Sequence, residues 1–278
     1  MTEILNINHL NIAPKNAPNR LLVNNVSLSL SPRKTTCIVG ESGSGKSLTA
    51  LSIMGLLSSQ LQASGSILFQ GNELTKLDNK ALQSIRGAKI GMIFQEPMTS
   101  LNPVLTVGYQ IGETLTAHLG LKGAGLKLRI ESLLLQVGIP IDRANSYPDE
   151  LSGGQRQRVM IAMSIACEPV LLIADEPTTA LDVTVQAQIL QLLDELKTRM
   201  NMAMLFITHD FGVVADIADE VIVMFRGEIV EAGTKQQILS KPKHPYTRSL
   251  LACVPDAERK KQLKPIDYAW LADTKAAA

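Results

Sequence analysis

The feature that most constrains this chain is a glycine-rich segment, GESGSGKS, at residues 40–47. It follows a short apolar run rich in β-branched residues, at residues 35–39, and precedes a stretch with helical spacing at residues 46–57. Glycines let backbone N–H groups wrap closely around phosphate oxygens, and the N-terminus of a helix favours an anion. The pattern could also be a plain glycine-rich turn. The strand before it and the helix after it favour a loop that holds nucleotide phosphates.

Two side chains of this segment have predicted roles in holding a nucleotide. Lys46 is expected to reach the β- and γ-phosphates, and the hydroxyl of Ser47 is expected to be a ligand of Mg²⁺. The predicted phosphate-binding residues are Gly40, Glu41, Ser42, Gly43, Ser44, Gly45, Lys46, Ser47 and Leu48.

A second apolar run, at residues 171–174, ends in two carboxylates, Asp175 and Glu176. An aspartate at the end of a buried strand can orient Mg²⁺, and the following glutamate can accept a proton from an attacking water. Alone, this pair would indicate only a turn at the end of a strand. With a phosphate loop upstream, the catalytic interpretation is favoured.

The segment LSGGQ at residues 151–155 is the most specific pattern in the chain. A serine and two glycines precede a predicted helix over residues 155–166, which creates a second helix N-terminus facing an anion. A simple helix cap would explain Ser152 but not the presence of both glycine-rich patterns. The predicted binding residues here are Ser152, Gly153, Gly154 and Gln155.

Composition excludes several other classes of protein. The 278 residues are 45% hydrophobic and carry a net charge of +1, which is typical of a globular protein and gives no reason to expect a nucleic-acid partner. The three cysteines form no C-x-x-C pair, so no zinc or redox site is predicted. We expect no signal peptide, and the apolar runs are too short to cross a bilayer.

The hydrophobic pattern predicts an α/β fold with a mixed sheet core, an antiparallel β layer and a helical lobe. Alternation at residues 4–8, 26–30 and 64–70 indicates the antiparallel layer, and residues 170–175 and 203–207 indicate buried strands. Helical periods interrupted by Gly and Pro place the lobe at about residues 96–166. Residues 183–200 should form an amphipathic helix, and residues 219–231 a hairpin about Arg226 and Gly227. The polar tail after Lys241 is expected to be peripheral or partly disordered.

Taken in this order, residues 40–47, 151–155 and 174–176 resemble the ATP-binding-cassette (ABC) ATPases, a P-loop NTPase family. Gln95 resembles the glutamine of the family's Q-loop, residues 180–182 resemble its D-loop, and His209 resembles its switch histidine. The resemblance covers about residues 3–255, so we expect an ATPase domain over residues 1–255 and a C-terminal tail over residues 256–278.

In that family, two cassettes pack head to tail and sandwich ATP with Mg²⁺. The resemblance implies that each ATP lies between the phosphate loop of one cassette and the LSGGQ segment of the other. It assigns Lys46, Gln95, Glu176 and His209 to catalysis, with Glu176 as the base. It assigns Ser47, Gln95 and Asp175 to Mg²⁺, and Ser152, Gly153 and Gly154 to the partner's nucleotide.

Finer matches at residues 95–103, 174–182 and 243–247 resemble the dipeptide, oligopeptide and nickel importer ATPases of bacteria. This branch implies a peripheral subunit on the cytoplasmic face of the inner membrane, bound to two permeases and served indirectly by an extracytoplasmic solute-binding protein. The alternative is a soluble ABC ATPase of DNA repair or translation, which usually has a coiled-coil insertion or two cassettes. The substrate, and whether the second cassette is identical or related, stay open.

Two departures from the family pattern carry expectations. No aromatic residue precedes Phe69, so adenine would meet only aliphatic side chains near Ile12, Ala13 and Pro14. Some peptide-importer relatives have a cysteine-rich C-terminal segment for an iron–sulfur cluster. Because the segment after Lys241 has only Cys253, no such cluster is expected.

Overall fold

Two β-sheets organise the chain in the computed structural model, which describes residues 3–95, 100–179, 181–253 and 268. The smaller sheet has the strand order β2-β1-β4-β5, and its pairs are antiparallel. Its strands are β1 (Leu5–Pro14), β2 (Val23–Leu30), β4 (Leu61–Phe69) and β5 (Asn72–Glu73). This sheet is the predicted antiparallel layer, and that part of the prediction is confirmed.

The larger sheet is mixed and has the strand order β10-β9-β3-β8-β7-β6. Its strands are β3 (Thr35–Val39), β6 (Ile90–Ile93), β7 (Leu171–Asp175), β8 (Ala203–Thr208), β9 (Glu220–Phe225) and β10 (Glu228–Thr234). All pairs are parallel except β9–β10, which is the predicted hairpin. Strand β6 was not predicted, because four apolar residues form too short a run to distinguish a strand from a helix.

The two faces of the mixed sheet support two separate apolar cores. Along β3, Cys37 and Val39 face a core shared with helices, whereas Ile38 faces a core shared with the antiparallel sheet. This alternation follows from the two-residue period of a strand. Both faces are covered, so the central strands contain apolar residues at nearly every position.

The helices surround the mixed sheet. The α-helices are α1 (Lys46–Ile53), α2 (Asn79–Ile85), α3 (Val107–Leu119), α4 (Gly123–Gln136), α5 (Gly153–Ile165), α6 (Val183–Met200), α7 (Phe211–Ile217), α8 (Lys235–Ser240) and α9 (Pro245–Ala252). Short 3₁₀ helices lie at Leu74–Lys76, Ile141–Asn145 and Pro148–Glu150. Within the described ranges, no helix has both the length and the hydropathy needed to span a membrane.

Helix α1 is shorter than the predicted segment of residues 46–57. It ends at Ile53, and Gly55 takes a left-handed conformation with φ of 60°. The Gly55 N–H donates to the Ser52 carbonyl at 3.1 Å, which turns the chain away from the helix axis. The helical composition of the region between β6 and β7 agrees with the predicted lobe, as far as residues 100–166 describe it.

The segment after Lys241 differs from the expected peripheral tail. Helix α9 lies in this segment, and Tyr246 and Thr247 at its start are both 0% exposed. Tyr246 belongs to the core on the helical face of the mixed sheet. The expectation of a peripheral segment is therefore wrong for residues 245–252. The predicted tail over residues 256–278 lies outside the described residues, except Tyr268.

Candidate nucleotide site

The phosphate loop leaves the C-terminal end of β3 and leads into α1. Gly40 has φ of 155°, and a Cβ at this position would lie 2.2 Å from the carbonyl oxygen of Met224 on β9. Only glycine allows the loop to leave β3 so close to its neighbour. The Ser44 hydroxyl is buried and has no hydrogen-bond partner among the described residues. A phosphate oxygen could satisfy this group, so the loop fits the predicted ligand.

Lys46 lies at the start of α1 and is 4% exposed. Its Nζ donates to the carbonyl oxygens of Gly40 and Glu41, each at 2.8 Å. Burial lowers the pKa of Lys46, while the nearby carboxylates of Glu176 and Asp175 partly oppose this shift. The loop therefore holds a buried ammonium group at its own backbone, ready for an anionic ligand.

Ser47 and Asp175 meet across the sheet edge, although they are 128 positions apart. The Ser47 hydroxyl donates to Asp175 Oδ1 at 3.0 Å. Burial raises the pKa of Asp175, and the hydrogen bond from Ser47 opposes the shift. A hydroxyl and a carboxylate are hard oxygen ligands, so this pair fits Mg²⁺.

Three side chains converge on one carboxylate oxygen of Glu176. Gln95 Nε2 donates to Glu176 Oε2 at 3.3 Å, and the Thr179 hydroxyl donates to the same oxygen at 2.9 Å. His209 Nδ1 lies 3.3 Å from it. Glu176 has φ of 46°, a left-handed conformation that is uncommon outside glycine and is often found at functional sites.

The chain topology explains this convergence. Gln95 follows β6, Glu176 comes directly after Asp175 at the end of β7, and His209 follows β8. These residues therefore lie together at the C-terminal edge of parallel strands. This edge is where ligands bind in open α/β sheets. Gln95, predicted as a third Mg²⁺ ligand, contacts Glu176 in this structure, and its role toward the metal stays a prediction.

A cavity of about 860 Å³ lies at this edge of the sheet. It is lined by residues from the phosphate loop, from the ends of the strands and from the C-terminal segment: Gly40, Glu41, Ser42, Gln95, Glu176, His209, Asp210, Phe211, Leu250 and Cys253. The structure thus brings the predicted residues of the loop and of the strand ends together. Leu48, also predicted here, packs its side chain against the core between the sheets.

The segment at residues 151–155 has a different local role within its own chain. Ser152 Oγ accepts the Gln155 N–H at 3.3 Å, and Gln155 Oε1 accepts the Ser152 N–H at 3.0 Å. This reciprocal capping box starts α5 at Gly153, two residues earlier than predicted. Ser152 and Gly153 are exposed. Among the described residues that line the cavity, none belongs to this segment.

Some predicted features differ from the structure or lie outside it. Ile12 and Ala13 are 0% and 4% exposed, so they cannot offer an aliphatic surface to adenine, whereas Pro14 is partly exposed. The predicted matches at residues 96–99 and at Ala180 lie outside the described residues. Asp182, from the predicted D-loop, caps α6 by accepting the Val185 N–H at 3.0 Å.

Sequence reasoning missed two contacts of the site. Thr179 lies in the family match at residues 174–182 but had no predicted role, although its position three residues after Glu176 allows the bond between them. Tyr246 contacts Glu41 of the phosphate loop across 205 positions, and no local pattern signals such a distant contact.

Two family models match the chain. The model described as "ABC transporter" matches residues 23–179, which contain the phosphate loop, the LSGGQ segment and both strand-end carboxylates. The model described as "Oligopeptide/dipeptide transporter, C-terminal region" matches residues 230–271, which contain α9 and Tyr268.

Several curated proteins are similar to this chain. The peptidoglycan transport ATP-binding protein YejF of Agrobacterium fabrum is 54% identical over 92% of this chain and 48% of its own length. The glutathione import ATP-binding protein GsiA of Escherichia coli is 50% identical over 95% of this chain and 44% of its own. The chain thus spans about half the length of these two relatives. A Brucella ovis protein, provisionally named for peptide import, is 52% identical over 84% of this chain and 72% of its own.

Solved structures agree with the fold. CbiO1 of Clostridium perfringens, described as part of an ABC transporter complex, has a TM-score of 0.76 and 27% identity, covering 87% of this chain and 92% of that one. The dimeric cassette MJ0796, bound to ADP and phosphate, has a TM-score of 0.74 and 28% identity, covering 83% and 98%. The matched family model, the similar relatives and the shared fold together show that this chain belongs to the ABC transporter family.

Proposed function

We propose that this chain binds ATP with Mg²⁺ and hydrolyses the ATP to energise the import of peptides through partner permeases. One observation carries the chemical part of the proposal. The Ser47–Asp175 pair and the Glu176 cluster lie beside the same phosphate loop, each built from residues distant in sequence. A loop for phosphates, ligands for Mg²⁺ and a held carboxylate are the parts that hydrolysis of a nucleoside triphosphate needs.

Each residue has a role that follows from its position. Lys46 would exchange its bonds to the loop carbonyls for bonds to the β- and γ-phosphates. Ser47 and Asp175 would hold Mg²⁺, which supplies charge stabilisation to the phosphates when bound. Glu176 Oε2 would accept the proton of the attacking water. Gln95 and His209, which contact that oxygen, would orient the carboxylate and the water beside the γ-phosphate.

The LSGGQ segment would act on the nucleotide of a second cassette. Its exposed position supports this role, and so does the lining of the cavity in its own chain, in which no residue of this segment is found among the described residues. The dimer reported for MJ0796 offers a precedent for pairing between cassettes. Whether the second cassette is identical or a related subunit is left open, and both versions predict the same contacts for Ser152, Gly153 and Gly154.

The substrate proposal rests on the relatives and on the C-terminal family match. Their names refer to transport of peptides, glutathione or peptidoglycan, which supports a peptide-like substrate over nickel, the other substrate that the resemblance implies. We propose two permeases as partners, a solute-binding protein as an indirect one, and a peripheral position at the cytoplasmic face of the inner membrane. The solved neighbours are described as transporter parts, so the alternative in DNA repair or translation gains no support.

The catalytic proposal is tested with Glu176→Gln in the full chain. This variant should bind Mg²⁺-ATP with near-normal affinity and release phosphate at least about a hundredfold more slowly, because the base is lost while the phosphate contacts remain. Calorimetry gives the affinity, and a phosphate-release assay gives the rate. Glu195→Gln, on the exposed face of α6, is the matched control and should behave as the unmodified chain. Undiminished release by Glu176→Gln would refute the role of Glu176 as the base.

The transport proposal is tested by membrane association. The chain should sediment with washed membranes only when its permeases are co-expressed. Retention on membranes that lack them would contradict a peripheral subunit held by protein partners.

A further inference from the structure

The C-terminal segment reaches the phosphate loop through Tyr246, the second residue of α9. The Tyr246 ring is fully buried and packs against Phe225, with ring centroids 4.3 Å apart and planes inclined by 44°. This packing explains why an aromatic ring occupies this position. It does not account for the hydroxyl, since a phenylalanine could fill the same space.

The Tyr246 hydroxyl contacts Glu41, the second residue of the loop, in two ways. It accepts the Glu41 backbone N–H at 3.1 Å and donates to Glu41 Oε2 at 3.3 Å. Burial raises the pKa of Tyr246 well above its usual value, so the hydroxyl keeps its proton near neutral pH. Both bonds are therefore available together.

Glu41 is also the residue whose carbonyl accepts a bond from Lys46 Nζ at 2.8 Å. Its N–H is thus held by Tyr246 and its C=O by Lys46. A shift of the Glu41 backbone would move the carbonyl that positions the lysine. Tyr246 is therefore connected through one residue, Glu41, to the Lys46 ammonium group that is proposed to bind the phosphates.

A second contact from the C-terminal part of the chain reaches the same residue. The Tyr268 hydroxyl donates to Glu41 Oε1, and the Tyr268 ring lies 6.3 Å from that of Phe225. Two tyrosines of the C-terminal region therefore converge on one residue of the loop. Both lie within residues 230–271, which match the C-terminal model.

We propose that Tyr246 is a positioning residue for nucleotide binding: its hydroxyl fixes the Glu41 backbone and, through it, the phosphate loop and Lys46. The inference rests on the proposed binding of ATP by this loop. It gives the C-terminal segment a function in the cassette's own site, separate from any contact with permeases.

The test compares full-length Tyr246→Phe with the unmodified chain. The substitution keeps the buried ring and removes only the hydroxyl. Losing the partner of this partly buried backbone amide should weaken Mg²⁺-ATP binding about three- to tenfold. In ¹⁵N–¹H spectra without nucleotide, the Glu41 amide should shift upfield because its hydrogen bond is lost. The thermal unfolding midpoint should change little, because the buried ring is kept. Tyr109→Phe, at an exposed tyrosine of α3, is the control and should change none of the three: affinity, the Glu41 amide signal or the unfolding midpoint.

Three other results would overturn the inference, and only the third of them is also a failure of the proposed function. Unchanged affinity together with an unchanged Glu41 amide would mean that the hydroxyl does not position the loop. Shifts spread through the strands of the core, with a large loss of stability, would mean that Tyr246 serves packing only. Absence of ATP binding by the unmodified chain would refute the proposed function and with it this role, whereas the Glu41 shift would still report on the contact.

Discussion

Two glycine-rich segments of this chain precede helices, and they differ in what surrounds them. The loop at residues 40–47 is enclosed except at Ser42 and Gly43: Lys46 is buried, Ser47 meets Asp175, and Tyr246 holds Glu41. The segment at residues 151–155 is bounded by its own capping box, and Ser152 is exposed. The first segment is supported by strands, helices and the C-terminal region, whereas the second is supported mainly by the helix that it starts.

The difference indicates a division of labour between the two segments. An enclosed loop with a buried ammonium group is organised to grip a ligand within one chain. An exposed helix N-terminus can bind an anion that a second surface presents to it. The comparison therefore agrees with a site shared between two cassettes, in which the first segment binds strongly and the second completes the site.

The largest expected effect is a loss of nucleotide affinity when the Lys46 ammonium group is removed from the enclosed loop. Lys46→Ala should weaken Mg²⁺-ATP binding by about tenfold to a hundredfold, since a charge-assisted bond to phosphate is lost. Titration calorimetry measures this change. Lys127→Ala, at a lysine whose side chain is 80% exposed on α4, is the control. Equal affinities for Lys46→Ala and the unmodified chain would remove the basis for the loop's role.

A smaller effect is expected from Ser152→Ala in the exposed segment at residues 151–155. The lost cap should lower the free energy of unfolding by about 1 kcal/mol. Affinity of a single chain for ADP should change less than twofold, while ATP hydrolysis falls because the partner's nucleotide loses a contact. Thr234→Ala removes an equivalent capping box from α8 and should cost similar stability with hydrolysis retained. If both variants hydrolyse ATP equally, Ser152 is only a cap.

The smallest effect is expected from acid acting through His244, near the enclosed segment. His244 Nδ1 accepts the Tyr246 N–H at 3.2 Å and caps α9, which requires this nitrogen to be unprotonated. Burial lowers the pKa of His244, the charge of Arg248 adds to the shift, and Glu231 opposes it. The folded state therefore binds this proton less readily than the unfolded state does.

The sign of the pH effect follows from that lowered pKa. The stability that depends on neutral His244 is fully present above the unfolded-state pKa and is lost as the pH falls through the folded-state pKa. Urea unfolding of the unmodified chain should thus show a steeper loss of stability below about pH 6.5 than His244→Asn, whose amide oxygen can cap without titrating. Parallel pH profiles for the two proteins would contradict this role of His244.

The parts of the site that were predictable from sequence are those written in contiguous residues. The spacing of Gly45, Lys46 and Ser47 reflects a loop whose chemistry is local, and Asp175 ends a strand that is recognisable by itself. The order of these patterns along the chain then predicted the fold class, which is confirmed by the shared family and structures.

What sequence could not supply are contacts between distant parts of the chain. Tyr246 lies in a polar, proline-containing stretch that resembles a peripheral tail, yet it is buried against Phe225. Its burial depends on where α9 packs, and the pattern of apolar residues in an eight-residue helix is too short to predict that position. Strand β6 was missed for a related reason, since its pairing with β7 defines it more than its own four residues do.

Hydrogen–deuterium exchange tests most directly whether residues 40–47 bind nucleotide within one chain while residues 151–155 do not. It is measured on the full chain with and without Mg²⁺-ADP, at a concentration where the protein is monomeric. Exchange at residues 40–48 should become slower when ADP is added, and exchange at residues 151–155 should stay unchanged. Unchanged exchange at residues 40–48 under saturating ADP would contradict this expectation. Equal protection of both segments in the single chain would contradict it as well.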